Sequence, residues 1–184
     1  MDNQQQKTSM QALVFFFGCA AFAVGLRMFP HTPNYAAMGA LAIFSGSLFN
    51  SKKFAFLPFL VVFLSDAFIG FYEPLLMATV YLSYALMFFI GHSMKKATAS
   101  GVVLRATLAS SLFYLTTNFA VWAFTPWYSK TLADLVKVYI QAIPFYRNTF
   151  ISDLIFTAAF FAAYQLSTAI YGAHAKKKAL ATTN

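Results

Sequence analysis

Residues 52–96 read KKFAFLPFLVVFLSDAFIGFYEPLLMATVYLSYALMFFIGHSMKK. One lysine pair, Lys52-Lys53, opens the stretch and another, Lys95-Lys96, closes it, with enough apolar sequence between them to cross a bilayer twice. Lysine and arginine favour the cytoplasmic side of membrane proteins. The pairs therefore predict a hairpin of spans whose tip, Phe71-Tyr72-Glu73-Pro74, lies outside. Lys7 and Lys176-Lys177-Lys178 repeat the spacing on either side. The predicted fold is an all-α membrane protein, a bundle of six transmembrane helices forming one domain over 1–184, with both termini cytoplasmic. Its spans lie at about 10–26, 36–49, 54–70, 75–92, 102–124 and 149–172.

Composition supports lipid as the solvent. The chain is 60% hydrophobic and 10% charged, and it carries 23 phenylalanines in 184 residues. A soluble core of this size could not hide that much apolar surface. The net charge of +8 comes from residues at span ends, not from one basic face, so anionic lipid headgroups are the expected partner and nucleic acid is not. The single cysteine, Cys19, excludes an internal disulfide and a cysteine-only metal site. Phe16-Phe17-Gly18-Cys19 is a poor lipoprotein cleavage site because the apolar run continues to Leu26, so an uncleaved first span is expected.

The charge count supports this orientation. The inner side holds the eight lysines already named, whereas the outer side holds Arg27, Lys130, Lys137 and Arg147 with Glu73 and Asp134. Arg105 lies one turn inside span five, where it can reach back to water. The loop Met28 to Tyr35 carries Pro30 and Pro33 and is expected to be non-helical. Span two, at fourteen residues, covers only about 21 Å of a hydrocarbon core of about 30 Å, so it needs partner helices or a broken geometry. Between spans five and six, Leu132, Leu135, Val136, Tyr139, Ile140 and Ile143 recur at helical steps. Thr131 and Asp134 form a capping start, and Pro144 is expected to end the winding. The result is a short interfacial helix over about 132–143, behind Trp127 and Tyr128 at the headgroup boundary.

On this topology the unusual polar residues share one depth near the outer face: Arg27, His31, Asn34, Asp66, Glu73, Asn118, Trp122, Arg147, Asn148 and Asp153. An ionised side chain at mid-membrane costs about 2.5 to 3.5 kcal/mol, so Asp66 and Asp153 must face protein, water or a cationic partner. Arg27 and Arg147 are the candidates for that partnership. A binding cavity would gather these groups around a ligand. The alternative is structural: ion pairs tying helix ends, a snorkelling Arg27, an Asn118 amide bonding a neighbouring helix, and a His31 facing water. Asn118 and Trp122, one turn apart, are expected to share a face.

Other chemistries lack their residues. No glycine-rich phosphate loop, paired histidines, zinc motif or serine elbow is present, so neither an enzyme nor a resident cofactor is expected. Small residues, namely Ala21 and Gly25 in span one, Ala36, Gly39, Ala40 and Gly46 in span two, and Ala158, Ala159, Ala162 and Ala163 in span six, point to close helix packing or to a docking face for another subunit.

Four segments carry a resemblance: Arg27-Met28-Phe29-Pro30-His31-Thr32-Pro33-Asn34-Tyr35, Phe63-Leu64-Ser65-Asp66, Leu115 to Trp122, and Pro144-Phe145-Tyr146-Arg147-Asn148-Thr149 with Asp153. Together they resemble an uncharacterised family of small bacterial membrane proteins. That family is similar in size, span count and layout to the substrate-binding S components of energy-coupling-factor (ECF) transporters. The resemblance implies a bacterial plasma-membrane protein that captures a vitamin-like molecule or metal ion at its outer side. It also implies a separate transmembrane coupling protein and ATPase subunits as partners. Many S components carry an Ala-xxx-Ala motif in the first span, where this chain pairs Ala12 with Phe16. The expected function is substrate binding for uptake of a small polar solute. The site expected is Arg27, His31, Asn34, Asp66, Asn118, Trp122, Arg147, Asn148 and Asp153, with Trp122 or Trp127 to stack on a ring. The competing expectation is a non-transporting membrane scaffold or assembly factor.

Overall fold

The computed structural model describes residues 3–30, 32–49, 51–94 and 98–181, without the side chains of 3–9 and 175–181. His31, Lys95 and Lys96 fall outside the described residues. Six α-helices and one 3-10 turn make up the regular structure, and no strand occurs among the described residues. The helices are α1 (Asn3–Met28), α2 (Met38–Leu48), α3 (Phe56–Ile69), α4 (Pro74–His92), α5 (Ala99–Phe124) and α6 (Leu132–Ala181). Four of them contain stretches long and apolar enough to cross a membrane: Met10–Met28, Pro74–His92, Ala99–Phe124 and Leu132–His174. Length and composition thus mark the chain as membrane-embedded.

α2 is the axis of the bundle and packs against all five other helices. Met38 through Gly46 are all buried, which answers how so short an apolar helix is accommodated: protein, not lipid, surrounds it. The contact with α4 is backbone to backbone. A Cβ at Gly46 would lie 1.9 Å from the Phe88 carbonyl oxygen, and one at Gly91 would lie 2.0 Å from that of Ile43, so only glycine fits at either position. Ring pairs fix the direction of α6 against α1. Phe15 meets Tyr164 and Phe22 meets Phe156, so the two helices run antiparallel and the start of α1 shares a bundle end with the close of α6.

Helix ends are closed by nearby side chains. α3 stops at Gly70, whose φ of 117° is open to glycine and strained for other residues. The Glu73 carboxylate then accepts from the Leu76 N–H at 2.6 Å and Pro74 opens α4 at its first turn. Thr98 caps α5 through the Gly101 N–H. Three cationic or N–H-bearing side chains close helix C-termini on neighbouring segments. His92 Nδ1 lies 3.1 Å from the Gly46 carbonyl at the end of α2, Arg105 donates to Ser93 O after α4, and Lys130 donates to Trp122 O and Thr125 O after α5. Arg105, expected to reach back to water, thus reaches a carbonyl, and Lys130, one of the lysines expected on the outer side, is a helix cap.

Two expectations are corrected. Pro144 does not end a separate interfacial helix at 132–143; α6 runs unbroken for 50 residues with Pro144 inside it. Proline removes one N–H and crowds the carbonyl four residues earlier. Here that region is held from outside, because Tyr114 donates its hydroxyl to Tyr139 O and Tyr139 donates its own to Leu115 O. The predicted start is right: the Asp134 N–H donates to Thr131 Oγ1, and Asp134 Oδ2 accepts from the Ser129 N–H. The second correction concerns the alanines of α6. Ala158, Ala159, Ala162 and Ala163 are exposed on the bundle surface, which corrects the close-packing expectation for them and not the docking-face one, while Ala12 and Phe16 of α1 are buried within the bundle.

Candidate functional site

Because the helices alternate in direction, the C-terminal ends of α1, α3 and α5 collect with the N-terminal ends of α2 and α4 and with residues 142–153 of α6. A cavity of about 230 Å³ opens there, lined by Arg27, Asn34, Ala36, Gly39, Tyr72, Val80, Tyr84, Met87, Phe113, Thr149 and Asp153. A second hollow of about 240 Å³ shares Asn34, Tyr72, Val80, Phe113 and Thr149 with the first, and it extends to Tyr114, Thr117, Asn118, Phe145 and Tyr146. The two are lobes of one space, the first the more polar and the second the more apolar, with Tyr114, Phe145 and Tyr146 in its wall.

The two buried carboxylates sit in different surroundings. Asp66, 1% exposed, faces Arg27 across 2.6 Å and accepts the Tyr81 hydroxyl at 2.7 Å. Arg27 also donates to Ser65 Oγ, which in turn donates to Val62 O. Asp66 therefore stands behind Arg27, and only the arginine reaches the cavity. Asp153 has no such partner among the described residues. Its Oδ2 accepts the Ser110 hydroxyl at 2.9 Å, and the carboxylate also takes the backbone N–H of Ala40. Ala40 lies in the first turn of α2, whose preceding residue, Ala37, supplies no side-chain cap. Asp153 is thus the N-terminal cap of α2, delivered from α6, and Gly39 makes room for it: a Cβ there would fall 2.2 Å from Asp153 Oδ1.

The remaining expected residues divide. Asn34 lines both lobes in a left-handed backbone conformation, φ 60°, which asparagine tolerates. Asn118 lines the second lobe, with its Nδ2 donating to Tyr114 O on its own helix and leaving the carbonyl oxygen for the cavity. Trp122, one turn on, lines neither lobe. Its indole N–H donates to Ser129 O and Thr131 O and holds the connection into α6. Asn148 donates to Pro33 O and ties α6 to the α1–α2 loop. Arg147 is exposed, lines neither lobe and pairs with neither aspartate. Trp127 is exposed as well.

Sequence reasoning missed the tyrosines. Tyr72 and Tyr84 face the first lobe, and neither hydroxyl has a hydrogen-bond partner among the described residues. Burial pushes the Tyr72 phenol up to about 12, with Asp66 adding to the effect and Arg27 opposing it, so the group is a neutral O–H at the cavity wall. In the second lobe, the Tyr114 and Tyr146 rings pack with centroids 4.7 Å apart at a 41° tilt, and Tyr146 shares a hydrogen bond with the Ser111 hydroxyl. The available signal was the choice of tyrosine over phenylalanine in a chain otherwise rich in phenylalanine: a hydroxyl inside a membrane-embedded bundle needs a partner or a wet cavity. No cluster of three or more His, Cys, Asp or Glu side chains suited to a metal occurs among the described residues.

Fold and site together define a membrane-embedded all-α protein with a polar, aromatic-walled cavity at one end of its bundle. Residues 5–177 match the profile of a family of unknown function, DUF6580, and the chain belongs to that family. No curated protein and no solved structure matches it.

Proposed function

We propose that the chain crosses a bacterial plasma membrane six times with both termini in the cytoplasm, and that it is the substrate-binding component of an uptake system for a small polar solute, similar to an ECF S component. The observation that carries this reading is the two-lobed cavity at the bundle end remote from Lys52-Lys53. It collects more hydrogen-bonding capacity than the fold consumes: the hydroxyls of Tyr72 and Tyr84, the Asn118 carbonyl oxygen, the Asn34 amide and the outer edge of Arg27. Polar groups left without protein partners in a low-dielectric bundle are costly, and a ligand relieves that cost. The chain carries no nucleotide-binding motif, so energy would enter through a separate transmembrane coupling protein and its ATPase subunits.

A second reading, a membrane scaffold or assembly factor, has one observation in its favour: Asp66 and Asp153 both have structural work, one in an ion pair and the other capping α2. Native mass spectrometry of the detergent-purified chain separates the two. A binding component retains a small molecule, and the Tyr84→Phe and Asn118→Ala variants lose it while inserting and folding normally. A scaffold retains a protein partner and no small molecule, and that result would sink the uptake reading.

A further inference from the structure

With Asp153 ionised the cavity's charges do not balance, and that imbalance names a ligand class. Arg27 is matched by Asp66 at 2.6 Å, so that pair presents almost no net charge to the first lobe. Asp153 lines the same lobe at 1% exposure and takes only neutral donors, the Ser110 hydroxyl and the Ala40 N–H. No cationic side chain pairs with it among the described residues. The N-terminus of α2 supplies about half a unit of positive charge, which leaves the lobe short of a cation. The walls point the same way: Tyr84 and Phe113 border this lobe, with ring centroids 5.2 Å apart, and aromatic faces attract cations. Beyond Phe113 the space continues into the second lobe, where Phe145 and Tyr146 offer ring surface.

Building on the binding role proposed above, we infer that the cavity takes an amphipathic organic cation, with its protonated amine beside Asp153 and its ring or apolar body between the aromatic walls of the second lobe. An anionic head would meet Asp153 with no spare positive charge to offset it. A bare metal ion would find one carboxylate and no histidine or thiol beside it among the described residues.

The test uses the full chain in detergent and three probes with a common aryl skeleton: tyramine, 4-hydroxyphenylpropionate and 4-ethylphenol. Thermal unfolding is followed as each is raised to ~10 mM, enough to saturate even a millimolar site. Tyramine is expected to stabilise the protein with an apparent Kd at least about tenfold below those of the acid and the neutral phenol, the scale of one buried charge contact. Asp153→Asn should reduce that preference to within about twofold, whereas Ser110→Ala, which keeps the charge, should retain it. An equal or reversed ranking in the unaltered protein, or no response to tyramine, overturns the assignment, and this comparison stands even if Asp153→Asn fails to fold. A native mass spectrum showing a retained neutral or anionic molecule, with tyramine inert, overturns the cation and leaves the binding role standing. No retained molecule and no probe response removes both.

Discussion

The two ends of the bundle use polar side chains differently. At the end carrying Lys52 and Lys53, His92 and one terminal nitrogen of Arg105 close α2 and α4 on their carbonyls, the Arg105 Nε stays buried without a partner among the described residues, and the glycines Gly46 and Gly91 bring backbone onto backbone. At the opposite end the caps are satisfied too, Asp153 on α2 and Glu73 on α4, yet tyrosine hydroxyls and amide groups are left over and face an open space. Surplus polarity, beyond what helix ends require, is therefore what distinguishes the cavity end from the packed end in this fold, and a charge alone is a poor guide. Arg27 with Asp66 illustrates the limit, since most of that pair's bonding is inward.

The largest effect should come from breaking that pair on one side. Arg27→Met leaves the Asp66 carboxylate buried without its cation, a situation that costs about 3 to 5 kcal/mol. The thermal midpoint should collapse, and adding Asp66→Leu should recover much of it, a double-variant cycle read by unfolding in detergent. Failure of the second change to rescue the first would mean the pair is not the structural strut described here. Next come matched glycine substitutions that set one end against the other. Gly46→Ala drives a methyl into the Phe88 backbone, which cannot swing aside, and should cost about 1 to 3 kcal/mol. At Gly39 the obstacles are the Asp153 carboxylate and the end of the Met87 side chain, which can rotate where a backbone cannot. Gly39→Ala should therefore cost less stability but impair ligand retention. Equal losses of stability would erase the proposed contrast between the ends. His92→Ala removes the cap on α2 for about 1 kcal/mol and should leave ligand retention unaltered, since the ring lies at the far end of α2 from the cavity.

Much of the architecture could be read from local chemistry. The lysine pairs, the prolines after α1, the Glu73-Pro74 start of α4 and the Thr131 cap each act within a few residues of themselves, and each marks a boundary close to the observed one. Pro144 misled because its effect depends on what supports the helix around it, and that support comes from Tyr114 on α5. The site was legible in depth but not in direction. Arg27, Asn34, Asn118 and Asp153 line the cavity, whereas Asp66, Arg147, Asn148 and Trp122 do not and bond or point elsewhere. Helical spacing places residues on a face but does not say which faces meet, because α2 sits centrally only when all its neighbours are present.

The smallest predicted effect tests that distinction of depth from direction most sharply. Trp122 and Asn118 stand one turn apart on α5, so a sequence-based view assigns both to a ligand. In the fold, the Trp122 indole N–H donates to two carbonyls, of Ser129 and Thr131, which fastens the turn that aims α6 back into the bundle. Trp122→Phe keeps an aromatic ring and deletes only that donor. It should cost about 1 kcal/mol, the usual net worth of a hydrogen bond, and leave the small-molecule mass in a native spectrum in place. Asn118→Ala costs comparably little in stability yet should empty the cavity. If Trp122→Phe emptied it as well, the loop before α6 would be part of the binding surface, and the boundary of the site would move outward by one helical turn.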